Sequence, residues 1–174
     1  VMKNSVYVCL MFDHPVYLFE RLDLADERTI IIHCDLRGAR YIADYCPNVG
    51  SVGFVPLSGS YVTDIVPYRQ RKYDLVFTGS YNNPEAVYHD KIATMPDGDR
   101  RMADELISIM KNRPELMMQD ALRILLERNG AALNGRGFHV KMLRLINVEA
   151  YMRAWIREQV IRTIVDAGIK INIF

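Results

Sequence analysis

Four short stretches of this sequence place groups capable of chemistry directly after apolar runs. Asp13-His14 sets a carboxylate beside an imidazole, a pair able to orient a hydroxyl or accept its proton. His33-Cys34-Asp35, Ser58-Gly59-Ser60 and Gly79-Ser80-Tyr81 offer small, polar or acidic groups at comparable points. In doubly wound α/β sheets, ligands meet the carboxyl ends of the strands, where helix N-termini point outward. Each stretch also has an ordinary reading: Asp35 as a helix cap, residues 58–60 as a turn, His33 as a core histidine.

Other constellations are weaker. Gly135-Arg136-Gly137, with Asn134 before it and His139 after, could present N–H groups and a guanidinium to phosphate, but it follows no strand and reads more simply as an interhelical turn. Arg153 and Arg157 are spaced to flank an anion on one helical face, although such faces are usually just solvated. The histidines His14, His33, His89 and His139 show no metal-binding spacing, so no metal is expected, and there is no G-x-S-x-G elbow.

The elements that must position these groups are legible as period-two and period-3.6 patterns. Residues 5–12, 28–34 and 51–57 are short runs rich in β-branched, aromatic and Leu residues, the first two nearly continuous in apolar character, as in parallel strands buried on both faces. Between the second and third, Leu36, Ala39, Tyr41, Ile42 and Tyr45 share a helical face, with Asp35 placed to cap and Pro47 to stop it, which gives a βαβ unit. A short helix over 16–22 would join the first two strands. Residues 73–78 read as a further strand.

The period then changes. Met102, Leu106, Ile109 and Met110 form one stripe, and Pro114 is placed to open a second helix that closes at Asn129-Gly130. A last helix over 148–167 turns Tyr151, Met152, Trp155, Ile156 and Val160 inward, so Trp155 should be buried. Gly168 ends that helix, and residues 169–174 form a strand suited to pair in parallel with 73–78, leaving an open sheet edge through which copies could self-associate.

Composition bounds the function. The 174 residues are 50% hydrophobic and 25% charged, which excludes collagen-like and low-complexity chains, and a net charge of +1 gives no global field for nucleic acid. No run approaches a membrane span. Cys9, Cys34 and Cys46 lie in or beside apolar runs as free thiols, which suits a reducing, cytoplasmic setting. Val1-Met2 at the start reads as the interior of a longer polypeptide.

Several strings in order, Phe12-Asp-His-Pro15, Val55-Pro-Leu-Ser-Gly-Ser60, Tyr73 to Tyr81 and Tyr151 to Glu158 leading into Val165 to Phe174, resemble bacterial glycosyltransferase-like proteins of the spore-maturation type. The resemblance implies an α/β fold, an incomplete GT-B-like pair of Rossmann-like parallel sheets with a helical segment after the interdomain linker. Residues 1–58 would end the first domain, 59–72 form the linker, and 73–174 begin the donor-side domain. It implies transfer of a sugar from a nucleotide-sugar, bound as donor substrate with no cofactor, to an unknown acceptor. Asp13 and His14 would be catalytic; Asp35, Ser58, Gly59, Gly79, Ser80 and Tyr81 would bind substrate. The family continues beyond the point matching Phe174, so this stretch alone is expected to transfer no sugar. The rival reading is a non-catalytic, nucleotide-responsive α/β binding or regulatory module.

Overall fold

Alternating apolar residues and well-placed caps fold in sequence order into a mixed α/β structure. A computed structural model of the chain describes residues 5–57, 66–133 and 135–174. The strands are β1 (Tyr7–Met11), β2 (Thr29–His33), β3 (Ser51–Phe54), β4 (Val76–Phe77) and β5 (Asn172–Ile173). The helices are α1 (Phe19–Asp23), α2 (Leu36–Tyr45), α3 (Pro84–Val87), α4 (Asp97–Asn112), α5 (Met118–Arg128), α6 (Gly135–Arg144) and α7 (Asn147–Asp166). A 3-10 turn, Pro15–Leu18, leads into α1 where the sequence suggested one short helix.

The described residues group into two compact units, one taking 5–57 with Leu133 and 135–143, the other 66–132 and 144–174. In the first, β1, β2 and β3 pair in that order, all parallel, with Met11 beside His33 and His33 beside Phe54. Met11, Leu22, Ile31, Ile42 and Cys46 form its core. Burial of the Cys46 thiol pushes its pKa up to about 11, so it behaves as a small apolar group. α2 begins where expected: the Asp35 carboxylate accepts from the Arg37 N–H at 3.0 Å. Its inner side needs Gly38, because a Cβ there would lie 2.3 Å from the His33 ring.

Two expectations for this unit are corrected. The first strand is not buried on both faces: Tyr7, Val8, Cys9 and Leu10 are exposed and only Met11 is covered. Gly135-Arg136-Gly137 is no interhelical turn but the first turn of α6. Most of α6 groups with the first unit although the sequence reading ran 73–174 as one domain. The physical reason is the aromatic packing of Phe138 on Tyr45 and of His139 on Phe19.

The second unit is helical, with β4 and β5 pairing in parallel as their apolar character suggested. Its core joins Leu106 and Met110 of α4, Leu122 and Leu125 of α5, and Val148 and Met152 of α7. α5 starts at Met118 rather than Pro114, which lies in the preceding turn. Gly130 and Gly168 adopt φ of 65° and 75° just past α5 and α7, the left-handed conformation that stops a helix without a Cβ clash. Trp155 is half-buried rather than buried, with the Lys111 ammonium 5.5 Å from its ring centre, because α7 packs through Tyr151, Met152 and Ala154 and its later Val160 and Val165 are exposed.

Two substitutions test this packing. Gly38→Ala should destabilise the first unit by about 1–3 kcal/mol in urea unfolding, the cost of forcing a methyl into a filled site. Gln119 sits buried in α5 with its Oε1 lacking a hydrogen-bond partner among the described residues. Gln119→Met keeps the shape and removes the stranded acceptor, so it should raise stability by about 1 kcal/mol.

Candidate functional site

Three parallel strands end on one edge of the first sheet, and the turns after them carry Asp13, His14 and Asp35. His33 organises that edge. Its ring is 2% exposed, its Nδ1 accepts from the Asp35 N–H at 2.9 Å, and its Nε2 lies 3.1 Å from the Asp13 carbonyl oxygen. A carbonyl only accepts, so the proton is on Nε2 and the neutral ring ties the turn after β1 to the turn after β2. Cys34 adds a parallel link, its N–H donating to Met11 O at 3.1 Å.

His14 is half-buried and packs edge-on against Tyr41, ring centres 5.0 Å apart. Its Nδ1 accepts from the Val16 N–H at 3.2 Å, capping the 3-10 turn, so the neutral ring carries its proton on Nε2 and is a donor there rather than a base. The Asp35 carboxylate is occupied as the α2 cap. Asp13 differs: its side chain is exposed, and its carboxylate makes no hydrogen bond or ion pair among the described residues.

Behind His14 lies a pair that sequence reasoning missed. Tyr41 Oη and His139 Nδ1 are 2.6 Å apart, both residues buried, and His139 Nε2 lies 3.3 Å from the Tyr45 carbonyl oxygen. The Tyr45 carbonyl accepts from Nε2–H, so the Tyr41 hydroxyl donates to Nδ1. Burial raises the Tyr41 phenol well above its ordinary range and lowers the His139 pKa, the nearby His14 also disfavouring its cation while Asp23 and the Tyr45 carbonyl partly offset this. The partners are 98 residues apart in sequence, so no local spacing could have revealed them.

In the second unit Gly79, Ser80 and Tyr81 follow β4 and are exposed, and the Ser80 carbonyl accepts from Arg157 Nη1 at 3.0 Å. Arg153 pairs with Glu149, so both arginines that could have flanked an anion are held by this protein's own groups. Ser58 and Gly59 lie outside the described residues. Among the described residues no cluster of three or more His, Cys, Asp or Glu is placed to hold a metal ion, and no helix is long and apolar enough to cross a membrane. Comparison with family models, with curated proteins and with solved structures finds no match for this chain.

The buried His139 predicts a pH dependence. Its folded-state pKa is depressed, so between that value and the unfolded value of about 6.5 the unfolded chain binds more protons, and stability falls as pH drops through this window. His139→Phe should lower the melting temperature at pH about 8, by stranding the Tyr41 hydroxyl, yet shrink the loss between pH about 8 and about 5.5. Calorimetry of both proteins at both pH values reads the difference.

Proposed function

We propose that this chain is part of a GT-B-like, nucleotide-sugar-dependent glycosyltransferase, and that the carboxyl edge of its first sheet is the face that meets substrate. The observation carrying this reading is the uncommitted Asp13 carboxylate, held at the end of a parallel sheet by the His33 bridge to its own carbonyl. The α/β character of both units is in keeping with it. In this reading Asp13 takes the proton of an acceptor hydroxyl as that oxygen bonds to the donor's anomeric carbon and the nucleotide departs with the electrons of the broken bond. His14 holds the turn beside Asp13 through its Nδ1 cap, and Asp35 fixes α2. Gly79, Ser80 and Tyr81 would meet donor in the second unit.

A second reading has its own support. His14, His33 and Asp35 all spend side-chain atoms on backbone groups, which is what capping and packing residues of a non-catalytic nucleotide-responsive module would do. Titration with a panel of nucleotide-sugars and their parent nucleotides, followed by melting temperature, separates the two. The enzyme reading expects one nucleotide-sugar to stabilise the chain more than its parent nucleotide. It also expects Asp13→Asn in the intact gene product to cut sugar transfer by about 100-fold or more with melting temperature unchanged. Stabilisation by the bare nucleotide alone, with transfer indifferent to Asp13→Asn, would leave the binding module standing.

A further inference from the structure

α7 carries three arginines, and two of them close on their own helix. Arg153 pairs with Glu149 and Arg162 with Glu158, each an acid one helical turn earlier. Arg157 has no such neighbour, because the residue one turn before it is Arg153. Its Nη1 instead leaves the helix and donates to the Ser80 carbonyl at 3.0 Å, 77 residues away in sequence. The Arg157 side chain is half-buried, and both partners belong to the second unit.

That bond falls on a turn with little else to hold it. The Phe77 carbonyl at the end of β4 accepts from the Phe174 N–H at 3.1 Å, and the chain is next fixed at Asn83, whose Oδ1 accepts from the Glu85 N–H to cap α3. Between those anchors, the bond from Arg157 is the one hydrogen bond that residues 78–82 make among the described residues. It fixes more than a carbonyl. The Ser80–Tyr81 peptide is planar and trans, so holding its C=O toward Arg157 sends the Tyr81 N–H to the opposite side. That N–H donates to no group among the described residues, and Tyr81 is exposed.

We propose that Arg157 is a positioning residue for donor binding: by holding the Ser80 carbonyl, it aims the Tyr81 N–H at a phosphate oxygen of the nucleotide-sugar. This rests on the reading of Gly79, Ser80 and Tyr81 as the donor-facing turn. The arrangement suits an anion in two ways. A phosphate oxygen is a strong acceptor for an N–H that has none, and the guanidinium, paired with a carbonyl rather than with a carboxylate, keeps its positive charge behind the same peptide. A turn set before the donor arrives also loses less freedom when it binds. Arg157 therefore acts through the turn, not by touching the donor.

Two measurements test this. In ¹⁵N relaxation of the 174-residue chain, the Tyr81 amide should be ordered in the wild type, with S² about 0.85, and fall below about 0.6 in Arg157→Met, which keeps the apolar stem and removes the donor. Calorimetric titration of the intact gene product with UDP-glucose, GDP-mannose, dTDP-glucose and CMP-sialic acid then reads the donor. For whichever binds, Arg157→Met should raise Kd by about tenfold with melting temperature unchanged, and Arg157→Lys, which can still donate to the carbonyl, should recover part of the loss. Arg157→Lys carries the comparison by itself if Arg157→Met misfolds: its Kd should lie above that of the wild type. Binding of none of the four by the wild type overturns the donor reading and this proposal with it. Donor binding that is equally tight in wild type and variants overturns the proposal alone, as does a Tyr81 amide no more mobile in Arg157→Met.

Discussion

His33 can occupy the interior of the first unit only because residue 38 has no side chain. The ring fills the volume a Cβ would take, and both its nitrogens are satisfied by backbone groups of two different turns. A buried imidazole with either nitrogen stranded would cost more than it contributes, so the two hydrogen bonds and the glycine stand or fall together. Three features follow from that contact. The turn after β1 is locked to the turn after β2, α2 is seated close enough for Ile42 to reach Ile31, and Tyr41 is aimed away from the sheet toward His139.

This arrangement also decides which polar groups at the strand ends keep chemical capacity. His33 is consumed by the bridge, Asp35 by its cap and His14 Nδ1 by the 3-10 turn. Each of these uses stabilises a turn whose backbone would otherwise lack partners. What they leave is one carboxylate whose main chain is fixed at its own carbonyl while its side chain faces solvent. A rigid backbone under an uncommitted acid suits proton transfer better than a mobile one, because the cost of ordering the group has been met by folding.

The sequence spoke clearly where a signal was local. The β2–α2–β3 pattern, the Asp35 cap and the glycine stops of α5 and α7 all rest on neighbours within a few residues or on a single helical crossover. It was silent where the deciding contact was distant. α6 is placed by Phe138 stacking on Tyr45 and by the Tyr41–His139 hydrogen bond, and nothing in Gly135-Arg136-Gly137 announces either. Trp155 was misjudged for a related reason: an apolar stripe says which side of a helix could be buried, but only the partner's length says how far along the burial runs, and along α7 it fades after Ala154. At the candidate site, position was legible and role was not, since His14 and His33 differ in their partners rather than in their surroundings in sequence.

The exposure of β1 has the same origin in topology rather than composition. With strands ordered β1-β2-β3, successive crossovers of one hand bring α1 and α2 to the same side of the sheet. Their cover is centred on β2 and β3 and reaches β1 only at Met11. Yet Val6, Val8, Leu10 and Phe12 on the open side are as apolar as Tyr7, Cys9 and Met11 on the other, the composition of a strand covered twice rather than once. Among the described residues the helices cover one side of this sheet, and on the other side β1 carries large side chains while β3 has none at Gly53. Topology thus sets which face of the sheet the described helices cover, and composition alone does not.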